Sequence, residues 1–173
     1  ILPALWLTQE QEGWVSQEAI AYIADRIGTF AAKVYEAATF YTMYNLVPVG
    51  RYHVQLCGTT PCLLRGSDDV MAACKNKGLV KGKTTPDGMF TLTEVECLGA
   101  CANAPMVQIN DDNFEDLDYD SMTDILDKLG NDEAVTAGPQ IDRQTSCPEG
   151  GPTTLKDMAE ATEGWRRADP FPR

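Results

Sequence analysis

The spacing of apolar and polar positions changes twice along this chain. From Ile1 to about residue 46 the apolar residues recur every three or four positions, the repeat of one helix face. Leu2, Leu5 and Trp6 form a first stripe that ends near Gly13. Ser16 is placed to cap a second helix carrying Ala19, Ile20, Ile23 and Ile27 on one face, and Gly28 stops it. Val34, Ala37, Ala38 and Tyr41 keep the helical repeat between Phe30 and Tyr44, until Pro48 and Gly50 break it. From Arg51 the repeat is two: Tyr52, Val54 and Leu56 alternate with His53 and Gln55, a half-buried strand that runs into Cys57.

Cys62 to Lys77 reads as a helix, or a loop and then a helix. Ser67 is its expected cap, Asp68 and Asp69 suit its N-terminal end, Lys75 and Lys77 its C-terminal end, and Gly78 its stop. Pro86-Asp87-Gly88 is a turn. Phe90 to Glu96 reads as a second strand delivering Cys97. Asn103-Ala104-Pro105 is a tight connection, open to either isomer at Pro105, and Met106 to Asn110 is a third strand. Asn110 to Glu133 holds ten acidic residues and one basic residue, Lys128. Inside it a helix is expected to begin at Asp120 or Ser121, with Met122, Ile125, Leu126 and Leu129 on its core face and Gly130 at its end. Beyond Gly130 the pattern gives way to Pro and Gly. The expected organisation is a helical region over 1–47, a mixed domain over 48–130 and an extended tail over 131–173.

Net charge is -12, which excludes nucleic acid, whose recognition needs a basic footprint, and disfavours anionic lipid. The one basic patch, Lys75 to Lys83, reads as a solvated loop. No apolar run reaches membrane-spanning length, and the opening, with Pro3 and no basic leader, is not read as a signal peptide. The chain begins without Met, as a processed or partial chain does. Phe40, Tyr41 and Tyr44 suit packing against a neighbouring domain or subunit better than a cofactor platform.

The candidate chemistry lies in the cysteines. Cys57-Gly-Thr-Thr-Pro-Cys62 and Cys97-Leu-Gly-Ala-Cys101 are two close pairs separated by 34 residues, each after a strand. With no export signal, a disulfide scaffold is the weaker reading and four metal-bound thiolates the stronger. Cys74 falls on an apolar helix face and reads as a core thiol; Cys147 reads as a free thiol in the tail. His53, the sole histidine, reads as a hydrogen-bonded strand residue, and with one histidine a Rieske-type site is excluded. Tetrahedral zinc and a [2Fe–2S] cluster both accept four thiolates. Gaps of four and three small residues, longer than a zinc knuckle's, favour iron–sulfur; a zinc structural module stays open. Thioredoxin-type redox chemistry wants a C-x-x-C, which is absent.

The strings Ala37-Ala-Thr-Phe-Tyr-Thr-Met-Tyr44, Cys57-Gly-Thr-Thr-Pro-Cys62 and Glu96-Cys-Leu-Gly-Ala-Cys-Ala-Asn-Ala-Pro-Met106 resemble the small [2Fe–2S] subunit of the NADH-oxidising module of respiratory complex I, NADH:quinone oxidoreductase. The resemblance runs over about 1–130, with a looser match at Cys147-Pro-Glu-Gly-Gly151. It implies an α+β chain: an N-terminal helical bundle, a thioredoxin-like ferredoxin domain and an extended tail. It implies that Cys57, Cys62, Cys97 and Cys101 bind one [2Fe–2S] cluster, and that there is no complete active site on this chain alone. It implies a partner subunit carrying FMN and the NADH site, the rest of the peripheral arm beyond it, and no direct membrane insertion. The location implied is the cytoplasmic face of a bacterial inner membrane, or the mitochondrial matrix in a eukaryote. Family members usually extend beyond the position of Ile1. NAD-reducing hydrogenases and NAD-dependent formate dehydrogenases share the cysteine pattern, but the run Asn103 to Asp112 is more similar to complex I.

Overall fold

Ser16 accepts a hydrogen bond from the Ala19 N–H in the computed structural model, and Gly28 closes the same helix at φ 74°. The structure describes residues 1–151 and 153–155. Three helices open the chain: α1 (Leu2–Glu12), α2 (Gln17–Ile27) and α3 (Ala31–Phe40). The strand β1 (Tyr52–Cys57) follows, then α4 (Thr60–Arg65) and α5 (Ser67–Asn76). After them come the short β2 (Lys83–Thr84), β3 (Phe90–Val95), a 3-10 turn at Cys101–Asn103, β4 (Val107–Ile109), β5 (Asp112–Glu115), α6 (Tyr119–Gly130) and β6 (Gly138–Pro139). This is the expected α+β order, helices first and a sheet domain after them.

The chain forms two compact units, Ile1–Tyr52 with Thr84–Thr91, and His53–Lys83 with the chain from Leu92 onward. The first buries Leu5, Val15, Ile20, Ile23, Ala24, Val34, Ala38 and Tyr44 in one core. A fully buried aliphatic side chain contributes about 1.5–3 kcal/mol, so this cluster accounts for helices too short to stand alone. Tyr44 leaves the aromatic run to enter that core, its hydroxyl donating to the Leu2 carbonyl at 2.9 Å. Phe40 and Tyr41 stay outside it, edge to face and exposed.

The sheet has the order β2-β3-β1-β4-β5-β6. β4 runs antiparallel to β1, Val54 opposite Ile109 and Leu56 opposite Val107. The alternation seen in β1 is real: Val54 and Leu56 are buried and Gln55 is not. Helices α5 and α6 pack together, with Val70, Met71 and Cys74 on the buried side of one and Met122, Ile125, Leu126 and Leu129 on the other.

Two expectations are corrected. Ser67 does not cap α5; Gly66, at φ 105°, separates α4 from α5, and Ser67 is buried in the first turn. Helix α6 begins at Tyr119, one or two positions earlier than expected, because its cap is Asp118, which forms a reciprocal capping box with Ser121. The extended run after Gly130 is fastened at its start: β6 pairs in parallel with β5, Gly138 opposite Phe114 and Pro139 opposite Glu115. Residue 152 and residues 156–173 of the expected tail lie outside the described residues.

Candidate iron–sulfur site

β1 and β3 are neighbours in the sheet, and each ends just before a cysteine loop. Where they end, the Gly58 N–H donates to the Val95 carbonyl at 3.2 Å. Cys57 is the last residue of β1 and Cys62 lies in α4, whose first turn contains Pro61; both thiols are buried. Cys97 stands two residues past β3, and Cys101 opens the 3-10 turn; both are exposed. The Ala104–Pro105 peptide beyond them is cis.

The thiols stand in two pairs. Cys97 and Cys101 have their sulfurs 3.4 Å apart. Cys62 donates its thiol hydrogen to the Cys57 sulfur. Burial pushes the Cys57 thiol up. The N–H groups of Thr59 and Leu98, the Cys62 thiol and the Thr59 hydroxyl outweigh it, so Cys57 ends below its ordinary value. Burial, then donation to Cys57, push Cys62 up to about 11; the Met106 N–H, aimed at its sulfur, opposes this, and charge on Cys57 and Cys101 adds to it. Cys101 is raised chiefly by its hydrogen bond to Cys97. Leu98 and Ala100, from the loop between Cys97 and Cys101, pack against the cluster that holds Cys57 and Cys62, which puts both pairs in one neighbourhood.

These residues fit a [2Fe–2S] cluster. Two pairs match two irons with two thiolates each, whereas a single zinc ion wants its ligands converged. Backbone N–H groups of Thr59, Leu98 and Met106 point at sulfur. Thr59 Oγ1 is buried and makes no complete hydrogen bond with any protein atom, although the Cys57 sulfur lies beside it. Clustered thiolates repel one another, and a metal centre would supply the compensating positive charge.

The other cysteines and the histidine are placed elsewhere. Cys74 is wholly buried in α5, and burial pushes its thiol up to about 12. Cys147 is half-buried in the tail, where its carbonyl accepts a hydrogen bond from Arg143 Nε at 2.7 Å. His53 Nε2 lies 3.0 Å from Thr93 Oγ1, and burial lowers its pKa.

Sequence reasoning missed the groups that support the second cysteine loop. Asn103 is buried, its Nδ2 donating to Asp116 Oδ2 and to the Thr145 carbonyl. Arg143 pairs with Asp116 at 2.8 Å, their side chains 9% and 4% exposed. A cleft of about 310 Å³ opens beside this cluster, lined by Gly99, Ala100, Glu115, Gly138, Thr145 and Ser146 among others. Glu115 is raised by burial and by its neighbour Asp116.

Residues 1–130 match the family model of the thioredoxin-like [2Fe-2S] ferredoxins. An NADH-quinone oxidoreductase subunit of Rickettsia conorii is 58% identical over 134 residues, covering 76% of this chain and 80% of the relative. The corresponding NADH-quinone oxidoreductase subunit of Rhizobium meliloti is 49% identical over 160 residues, 90% of this chain and 58% of that one. The solved NAD+-reducing [NiFe]-hydrogenase in the H2-reduced state shares the fold, with a TM-score of 0.65 at 19% identity over 76% of this chain and 23% of that chain.

Proposed function

Since the chain belongs to the thioredoxin-like [2Fe–2S] ferredoxin family, we propose that Cys57, Cys62, Cys97 and Cys101 hold its one cluster and that it works as an electron-transfer subunit of NADH:quinone oxidoreductase. The observation that carries this reading is the meeting of two thiol pairs at the ends of neighbouring strands, with N–H donors aimed at their sulfurs. When bound, the cluster supplies a carrier for one electron at a time.

The residues of this chain divide the work. The four thiolates hold the irons. The Thr59, Leu98 and Met106 N–H groups stabilise negative charge on sulfur, which grows by one unit on reduction. The burial of Cys57 and Cys62 keeps water from one side of the site, and the exposed Cys97 and Cys101 leave a short path to a donor on the other.

That donor is the FMN of an NADH-binding partner subunit in the peripheral arm of complex I. The relatives' names support this assembly. So does the exposed apolar surface of the helical unit, where Leu7, Phe30, Phe40 and Val47 are 64–82% exposed. No described helix is long and apolar enough to cross a membrane, in keeping with attachment through a partner. On this reading the protein sits at the cytoplasmic face of a bacterial inner membrane, or in the matrix of a mitochondrion.

The test is co-expression of the chain with the flavin- and NADH-binding subunit from the same gene cluster. The two should co-purify, and NADH or dithionite should reduce a [2Fe–2S] centre absent from the partner alone. A partner preparation with the same spectrum whether or not this chain is present would contradict the proposal.

A further inference from the structure

We propose that Arg143 is a positioning residue for the second cysteine loop, and that the segment from Gly138 to Cys147 is a strap that holds Cys101 in register with the first pair. The inference rests on the assignment of Cys97 and Cys101 as ligands.

The loop from Cys97 to Cys101 leans on the first pair through Leu98 and Ala100, which pack against the buried cluster of Cys57, Cys62, Ala104 and Met106. It lies outside the sheet, both its thiols are exposed, and Gly99 turns at φ 86°. Its polar anchor is at the far end. The Ala102 carbonyl, one residue past Cys101, accepts from Arg143 Nη2 at 2.9 Å. Asn103 donates through Nδ2 to Asp116 Oδ2 at 3.1 Å and to the Thr145 carbonyl at 2.7 Å. The Asp116 N–H returns a bond to the Asn103 carbonyl at 2.8 Å.

The strap is itself fastened at both ends. β6 pairs with β5, and the Gln140 N–H donates to the Glu115 carbonyl at 2.9 Å. At the other end Arg143 Nε donates to the Cys147 carbonyl at 2.7 Å, while Nη1 meets Asp116 Oδ1 at 2.8 Å. One guanidinium thus joins the cysteine loop, the end of β5 and the strap through three separate nitrogens. A buried ion pair is a poor source of stability but a good device for fixing one geometry. The planar fork of arginine suits that work, because its donors are preset in direction.

Lysine separates this role from charge balance. It can neutralise Asp116, but its single ammonium cannot also reach the Ala102 and Cys147 carbonyls in the same directions. The experiment uses the full chain carrying its cluster, as parent, R143K and R143Q. Folding is followed by circular dichroism, iron release by transfer to a ferrous chelator after reduction, and the site by electron paramagnetic resonance. R143K should fold and load the cluster, release iron about 10-fold or more faster than the parent, and show a broadened, shifted signal. R143Q should be at least as impaired. An R143K chain that matches the parent in release rate and line shape would overturn the inference, since charge balance alone would then suffice. If R143Q does not fold, R143K still decides. A parent chain that binds no iron–sulfur cluster would overturn the ligand assignment, and this inference with it.

Discussion

The Gly58 N–H and the Val95 carbonyl, 3.2 Å apart, tie the exit of the strand bearing Cys57 to the exit of the strand leading to Cys97. The tie brings residues far apart in sequence to one edge of the sheet, so that two loops share one site. Cys97→Ser or Cys101→Ser should therefore abolish most of the visible charge-transfer absorption and lower the iron content. Cys74→Ser, in the core of α5, should leave both unchanged per folded molecule. Loss of the spectrum in folded C74S would show that the ligands are misassigned.

Thr59 brings a hydroxyl beside the Cys57 sulfur and makes no complete hydrogen bond to any protein atom. A donor at sulfur favours the reduced, more negative state, so its removal should lower the reduction potential. Thr59→Val keeps the shape and should cost little stability, because no protein partner is left unpaired. A redox titration in which T59V has the parent's midpoint, or a higher one, would contradict this role.

Gly99 sits at φ 86° inside the second cysteine loop, with nothing within 4 Å of where a Cβ would stand. The cost of a side chain there is conformational and not steric. Gly99→Ala should destabilise the loop by about 1–2 kcal/mol, the cost of a left-handed L-residue. The check is the rate of iron release to a chelator, which should rise, compared with the unfolding midpoint of α6, which should move little.

Asp118 caps α6 through the Ser121 N–H, which holds its carboxyl below the usual value. A depressed carboxylate stabilises the fold above its unfolded pKa, about 3.9, and loses that contribution as pH falls through the lower folded value. Asp118→Ala should cost about 1 kcal/mol at neutral pH. The difference between parent and variant in denaturant unfolding should persist down to about pH 4 and shrink below it. A difference constant to pH 2 would mean that the carboxylate charge is not what caps the helix.

Much of this was legible from residue order, and the rest was not for definite reasons. Ser16, Gly28 and the apolar repeat between them are local signals, and α2 follows them closely. The two cysteine pairs were legible because their loops are short and each follows a strand. The strand β5 was hidden: of Asp112–Glu115 only Phe114 is buried, and one apolar residue among acidic and amide neighbours shows no period-two repeat. Asp118 was passed over for Asp120 and Ser121 because capping depends on backbone geometry at the junction with the strand. Arg143 meets Asp116 across 27 positions and Ala102 across 41, with no periodicity to announce either contact. A tail dense in Pro and Gly reads as extended, with no periodicity to show that its backbone joins a sheet at Gly138 and Pro139.

The central claim is that four thiolates of this chain hold one [2Fe–2S] cluster, and spectroscopy on the purified chain tests it most directly. Analysis should find two irons and two acid-labile sulfides per chain, and dithionite reduction should produce an S = 1/2 electron paramagnetic resonance signal from one antiferromagnetically coupled pair. A colourless protein with one zinc per chain and no reduced signal would contradict the account and restore the structural zinc module.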